Sequence, residues 1–350
     1  MTSIRHIALW AWLLSLCTCA AVAPSGPGSP TSAAPAAPIA DPPRRPDKPL
    51  VLIVMPDSES FRSVRRALVN EVKKDLDVAT QIINARSNPS DFIAQIENSG
   101  AACVVLMDNP TVKLYRAYQK SRKAAPGAPA KPVIPAVVVM ASFLEDLRAE
   151  LINASGVAYE VPGVSAFVQL RSVIKKPVRR VGVVFRPAFA PFLERQEALA
   201  AKEQITLVPI RVPVDATAND VRDALKGLRM IGNIDALWVL NDNGLLRGAE
   251  FLEEAWRPEI VAMDVPVVVG VPTLVSAEAR FGTFAVLPDL DALGIQAANV
   301  LLDVADSDWR ADGHPVELPV STLTVVNMRQ VRLKFGLRDG ALRRIDRVIE

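Results

Sequence analysis

The residues with chemistry to offer stand where apolar runs stop. Ile234-Asp-Ala-Leu-Trp-Val-Leu240 gives way to Asn241, Asp242 and Asn243, and Val265-Pro-Val-Val-Val-Gly-Val271 gives way to Pro272 and Thr273. Amides and a carboxylate at a strand end can receive an ammonium or a hydroxyl, while neighbouring helix N-termini favour a carboxylate. The same residue types cap helices, so Asn241, Asp242, Asn243, Thr273 and Ser276 carry both readings. Arg186 with Phe189 would clamp a carboxylate and an apolar side chain. Ser58, Glu59 and Ser60, then Asp108 and Asn109, then Ser142 and Phe143 stand at other strand ends and complete the candidate ligand-binding set.

Other chemistries lack their parts. Of the 2 histidines, His6 lies in the N-terminal segment and His314 in a turn, which leaves no Ser-His-Asp or Cys-His device and no histidine-rich metal site. Asn241-Asp-Asn-Gly244 lacks the further oxygens and the late Glu of a calcium loop. No Gly-x-Gly-x-x-Gly or Gly-Lys-Ser/Thr phosphate loop follows a strand. With no nucleophile near a base, the chain is expected to be no enzyme and to need no cofactor. A formal charge of +2, with basic clusters scattered over 62–66, 120–123, 175–180 and 343–347, excludes a nucleic-acid footprint.

The elements that must position these residues alternate in type. Apolar runs at 50–55, 78–83, 102–107, 137–140 and 157–161 read as strands, separated by helical patterns such as Phe61, Val64, Leu68 and Val72. After Pro162-Gly163 a second series begins, with strands at 180–185, 206–212, 234–240 and 265–271. Unbroken apolar strands between helices of about 10–15 residues mean parallel sheets covered on both faces. The expected fold is α/β, two doubly wound parallel-sheet lobes joined by a multi-crossing hinge: lobe one from 49–162 plus 285–312, lobe two from 163–284 plus 313–350. In such sheets ligands bind beyond the strand carboxyl ends. Asn241 to Asn243 and Thr273 would then face Ser58 to Ser60 and Asp108 across the gap.

Residues 1–23 follow the order of a secretory signal: Arg5 and His6, the apolar run 7–16, then small residues at Ala20, Ala21 and Ala23. Leu16-Cys-Thr-Cys19 resembles a lipobox, so lipidation at Cys19 and ordinary cleavage near Ala21 to Ala23 both stand. Residues 24–48, rich in Pro, Ala and Ser, read as a tether. Cys103 is then the cysteine left for the folded part, inside an apolar run.

The chain resembles the periplasmic substrate-binding proteins of ABC transporters, specifically the family related to tryptophan and tyrosine uptake proteins. The likeness is carried by Pro162-Gly-Val-Ser165, Arg180-Val-Gly-Val-Val-Phe185, the run from Ile234 to Asn243, Val265 to Val269, Leu293-Gly-Ile-Gln-Ala-Ala298 and Val325-Val-Asn-Met328. It departs at Asp108-Asn-Pro-Thr111 and at Phe281 to Asp289, so the fold transfers and a ligand identity does not. The resemblance implies a two-lobed, type I periplasmic-binding fold that traps one small, amino-acid-like molecule. It also implies a permease partner in the inner membrane, a monomer, and a place in the periplasm or on the extracytoplasmic membrane surface. The alternative is a lipid-tethered accessory or sensory module that binds a protein partner with the same fold.

Overall fold

A computed structural model describes residues 39–84, 87–123, 131–231, 233–276 and 281–350; the expected signal, Cys19 and most of the tether lie outside them. The first sheet is built from β1 (Leu50–Pro56), β2 (Asp77–Ile83), β3 (Cys103–Met107), β4 (Ala136–Val139) and β5 (Ala154–Val157), with a late strand added at its edge. Helices α1 (Glu59–Val72), α2 (Pro89–Ser99), α3 (Asn109–Ser121) and the short α4 (Leu144–Arg148) connect these strands. Strands β3 and β4 are buried throughout, as expected for strands covered on both faces. Cys103 shares that burial, which pushes its thiol up to about 12 and makes it packing.

The second sheet holds β6 (Arg180–Phe185), β7 (Thr206–Arg211), β8 (Ala236–Val239), β9 (Val267–Val269) and β10 (Phe284–Pro288). Around it run α5 (Gly163–Val173), α6 (Ala190–Lys202), α7 (Ala218–Ile231), and α8 (Ala249–Phe251) and α9 (Arg257–Met263). A π-helical turn, Leu252–Trp256, separates α8 from α9, where the sequence pattern predicts one continuous helix. Pro258, which has no N–H to give the ladder, lies just beyond it. Helix α10 (Leu290–Asp306) and β11 (Val316–Glu317) return to the first lobe, and β12 (Thr322–Asn327) and β13 (Arg347–Ile349) finish the second.

Strand order is β11-β5-β4-β3-β1-β2 in one sheet and β13-β12-β10-β9-β8-β6-β7 in the other. All pairs are parallel except β10 with β12. The order reverses between β1 and β3 and between β6 and β8, and a crevice opens where successive helices depart to opposite faces. The second lobe packs a buried apolar cluster on each face of its sheet, and the first lobe a cluster centred on Phe92, Ile96, Tyr115 and Tyr118.

Several expected boundaries move. The chain crosses between sheets at 158–162, at Asp289 and at 318–321, so β10 stays in the second lobe and β11 in the first, against the limits 285–312 and 313–350. Register decides this: Val316 and Glu317 pair with Gly156 and Val157, while Phe284 pairs with both Val268 and Val326. The fifth strand lies at 154–157 rather than 157–161. Gly156, at φ 155°, brings it so close to β4 that a Cβ would fall 1.9 Å from the Val138 carbonyl oxygen. Docked structure begins at Asp41 and not at Pro49, because the Asp41 carboxylate accepts from the Thr80 amide (2.8 Å) and hydroxyl (2.6 Å) and pairs with Arg65. The C-terminal segment supplies β13 beside β12, within the second lobe.

Helix α10 covers the first sheet by lying tightly on α1. A Cβ on Gly294 would stand 2.4 Å from the Val64 carbonyl oxygen, and Ser63 donates to Asp291 at 2.6 Å. Gly294→Ala gains about 1 kcal/mol of helix propensity. It loses more, about 2–3 kcal/mol, because the obstacle is backbone that cannot rotate away. A urea midpoint lower than that of the parent chain, read by circular dichroism, is expected; an equal or higher midpoint contradicts this packing.

Candidate functional site

The strand ends on the two sides of each order reversal carry most of the residues singled out by sequence. Ser58, Glu59 and Ser60 follow β1 and are exposed; Ser58 caps α1 by position, without a side-chain hydrogen bond. Asp108, at φ 98°, caps α3 by accepting from the Thr111 amide at 2.9 Å, and burial pushes its carboxyl up to about 6. Asn109 is tied to the backbone of Ser142, donating to its carbonyl at 3.0 Å and accepting from its amide at 2.7 Å. That pair bridges the ends of β3 and β4. Asn243 and Thr273 are exposed, and Ser58 to Ser60, Asn243 and Thr273 line neither of the cavities described below.

Arg186 does not stand free as a clamp. Its Nε donates to Asp242 Oδ2 at 2.7 Å and its Nη2 to Oδ1 at 2.5 Å, while Nη1 donates to the Val214 carbonyl at 3.1 Å. Asp242 is 1% exposed and also accepts from the Gly244 amide at 2.8 Å. The pair is a bidentate strut joining the β6 and β8 turns, and the Asp242 carboxylate holds the Arg186 guanidinium above its ordinary range.

Phe143, Phe189 and Asn241 come together where the lobes meet. The turn after β4 places Met140 and Phe143 both at φ 59°, uncommon for residues with a Cβ, and projects the Phe143 ring out of the first lobe. There it meets Phe189 (4.6 Å between centroids) and Phe192 (4.9 Å), and Phe192 stands 6.0 Å from Trp238. Trp238 needs the bare Cα of Gly163, since a Cβ there would lie 2.9 Å from its ring. Beside the rings, Arg195 of α6 donates to both oxygens of Asp146 in α4 at 3.0 and 2.9 Å, and its Nε lies 3.0 Å from Glu145 Oε2.

Two cavities flank this bridge. Between the strand ends only about 30 Å³ is left, lined by Phe143, Tyr159, Glu160, Trp238, Asn241 and Val286 among others. Room for one water is all that volume gives. Asn241 donates to the Gly270 carbonyl at 3.4 Å, and its buried Oδ1 has no hydrogen-bond partner among the described residues. The larger cavity, about 310 Å³, lies between Phe143 to Glu145, the crossing residues Ala158, Glu160, Pro162 and Leu318, and the α6 face carrying Phe192, Arg195 and Leu199.

Glu160 borders both. Its Oε2 accepts from the Phe143 amide at 2.8 Å, and its Oε1 is buried with no partner among the described residues. Burial pushes the carboxyl up to about 7; the Phe143 amide, its own amide and the Ser142 hydroxyl oppose this, and the Asp146 charge adds to it. Sequence reasoning passed over Glu160, Phe192, Arg195 and Trp238. The available signal was a lone acidic residue between the apolar neighbours Tyr159 and Val161, just where the second strand series begins. Among the described residues no group of three or more His, Cys, Asp or Glu could hold a metal ion, and no helix is long and apolar enough to cross a membrane.

Glu160 gives stability a pH slope with a definite sign. Its carboxyl ordinarily titrates at 4.5 and in the folded chain near 7, so between those values the folded state keeps a proton that the unfolded state releases. Stability therefore falls as pH rises through that window. Glu160→Gln is expected to raise the melting temperature at pH 8 and to leave it nearly unchanged at pH 4. An equal shift at both pH values contradicts the assignment.

A scan against protein-family models finds no match, and neither does a search of curated proteins. Solved structures do match. The L-Trp complex of an ABC domain from Streptococcus pneumoniae superposes with a TM-score of 0.58 at 16% identity, over 86% of this chain and 100% of that one. A ligand-free, open substrate-binding protein with adhesive properties from Clostridium difficile gives 0.61 at 15% identity, over 86% and 99%. A conserved domain protein from Vibrio cholerae gives 0.58 at 17%, again over 86% and 99%. With its two mostly parallel sheets and three crossings, the chain has the type I periplasmic-binding fold, the fold of ABC-transporter substrate-binding proteins.

Proposed function

We propose that the chain is an extracytoplasmic solute-binding protein that captures a small, amino-acid-like molecule between its lobes and delivers it to the permease of an ABC importer. The observation that carries this reading is the cavity of about 310 Å³ walled by both lobes and by two of the crossings between them. That volume is at the lower end of small-molecule sites, suited to a molecule of amino-acid size. The structural neighbours add support, since one is an L-Trp complex and another a substrate-binding protein. Capture requires only differential affinity. A solute touching α4 on one side and α6 on the other favours the closed arrangement, and a permease reads the closed surface. No catalytic step is part of the proposal.

A second reading, an accessory or sensory module that binds a protein partner, is favoured by one feature. The gap between the strand ends is occupied by the chain's own Phe143, Phe192 and Trp238. Calorimetric titration of the purified chain with a panel of amino acids and related metabolites separates the two. Capture predicts that at least one compound binds with 1:1 stoichiometry and raises the melting temperature. A panel in which nothing binds, while a membrane or signalling protein co-purifies, supports the second reading and contradicts capture.

A further inference from the structure

The cavity between α4 and α6 has a charge arrangement that selects among small solutes. Glu145, Glu160 and Arg195 line it, and Asp146 joins them through Arg195. The one guanidinium is already engaged, donating to both oxygens of Asp146 with its Nε 3.0 Å from Glu145. A ligand carboxylate would therefore meet the carboxyls of Glu145 and Glu160 at the wall, with Asp146 behind Arg195, and a guanidinium whose charge is already paired. Two buried atoms on this wall make no hydrogen bond among the described residues: Arg195 Nε, which is still ion-paired with Glu145, and Glu160 Oε1, which is an acceptor once the carboxyl is ionised and has no charge partner among them. A buried acceptor of that kind is satisfied by a donor, and best by a charged one. Apart from Gln196, whose Oε1 accepts from the Gly163 amide at 2.8 Å, the remaining wall is apolar, with Phe143, Leu144, Phe192, Leu199 and Leu318.

We propose that this cavity binds a small amine with an apolar body and no carboxylate, of the arylalkylammonium class. Its N–H donates to Glu160 Oε1, and its carbon skeleton lies against Phe143, Phe192 and Leu199. The proposal rests on the capture reading and replaces its amino-acid-like solute with an amine that lacks the carboxylate. Proximity of Asp146 strengthens the preference for a cation, and the raised carboxyl of Glu160 is the expected state of an acid whose counter-charge arrives with the ligand.

Titration calorimetry with three compounds of one skeleton tests it: phenethylamine, phenylalanine and 3-phenylpropionate, each against the parent chain, Glu160→Gln and Leu199→Trp. Phenethylamine is expected to bind the parent chain about tenfold or more tightly than either carboxylate compound. Glu160→Gln is expected to weaken it by a similar factor, and Leu199→Trp, which fills the cavity from the half-buried face of α6, to abolish binding. Circular dichroism confirms that each variant is folded; if Glu160→Gln is not, Leu199→Trp and the comparison of the three compounds decide. Equal or tighter binding of a carboxylate compound, or an amine affinity indifferent to both substitutions, overturns the proposal. If no phenyl compound binds but another metabolite does, the amine assignment falls and capture stands; if no solute of any kind binds, both fall.

Discussion

The chain must pass between its two sheets three times, and most of the structure depends on that constraint. The first lobe is incomplete until α10 and β11 return to it, because α10 covers α1 and β11 closes the edge beside β5. The second lobe is likewise incomplete until β12 and β13 join β10. Neither half can be cut away as a contiguous segment. Short crossings also limit how the lobes can move: a few residues at 158–162, at Asp289 and at 318–321 absorb any change, while the packed sheets move as bodies.

What holds the lobes against each other is weak by comparison. Arg195, Glu145 and Asp146 have side chains 39%, 46% and 34% exposed, and ion pairs at such exposure contribute about 0–1 kcal/mol. Each Phe143 contact adds about 0.5–1.5 kcal/mol beyond the area it buries. A total of a few kcal/mol is the size of gap that ligand binding can bias. By contrast the Arg186–Asp242 strut lies within one lobe with its carboxylate fully buried, so it stiffens the wall and leaves the hinge alone. Glu160 belongs to both regimes, since it sits on a crossing and its amide partner, Phe143, is the ring that reaches across.

Much of the fold was legible in the sequence because buried parallel strands are unbroken apolar runs. The run from Arg180 to Phe185 has the limits read for it, and the alternation of strand and helix predicts two lobes. Edges were harder. Strand β11 is two residues long and β13 three, too short for a pattern of their own; each exists because a neighbour offers a ladder. The strand-end position of the candidate site residues was readable from order alone, whereas their partners were not. Arg186 and Asp242 are 56 residues apart in sequence and Asn109 and Ser142 are 33 apart, so no local pattern distinguishes a strut from a ligand contact. Glu160 shows the same limit from the other side, because its chemistry comes from burial at a crossing that only the assembled lobes create.

A crystal structure of the chain grown with its tightest-binding solute tests the central claim most directly. A single molecule is expected between α4 and α6, touching residues of both lobes, with a donor atom within hydrogen-bond distance of Glu160 Oε1. A solute seated on one lobe alone, or density that avoids Glu160 and the α6 face, would contradict it.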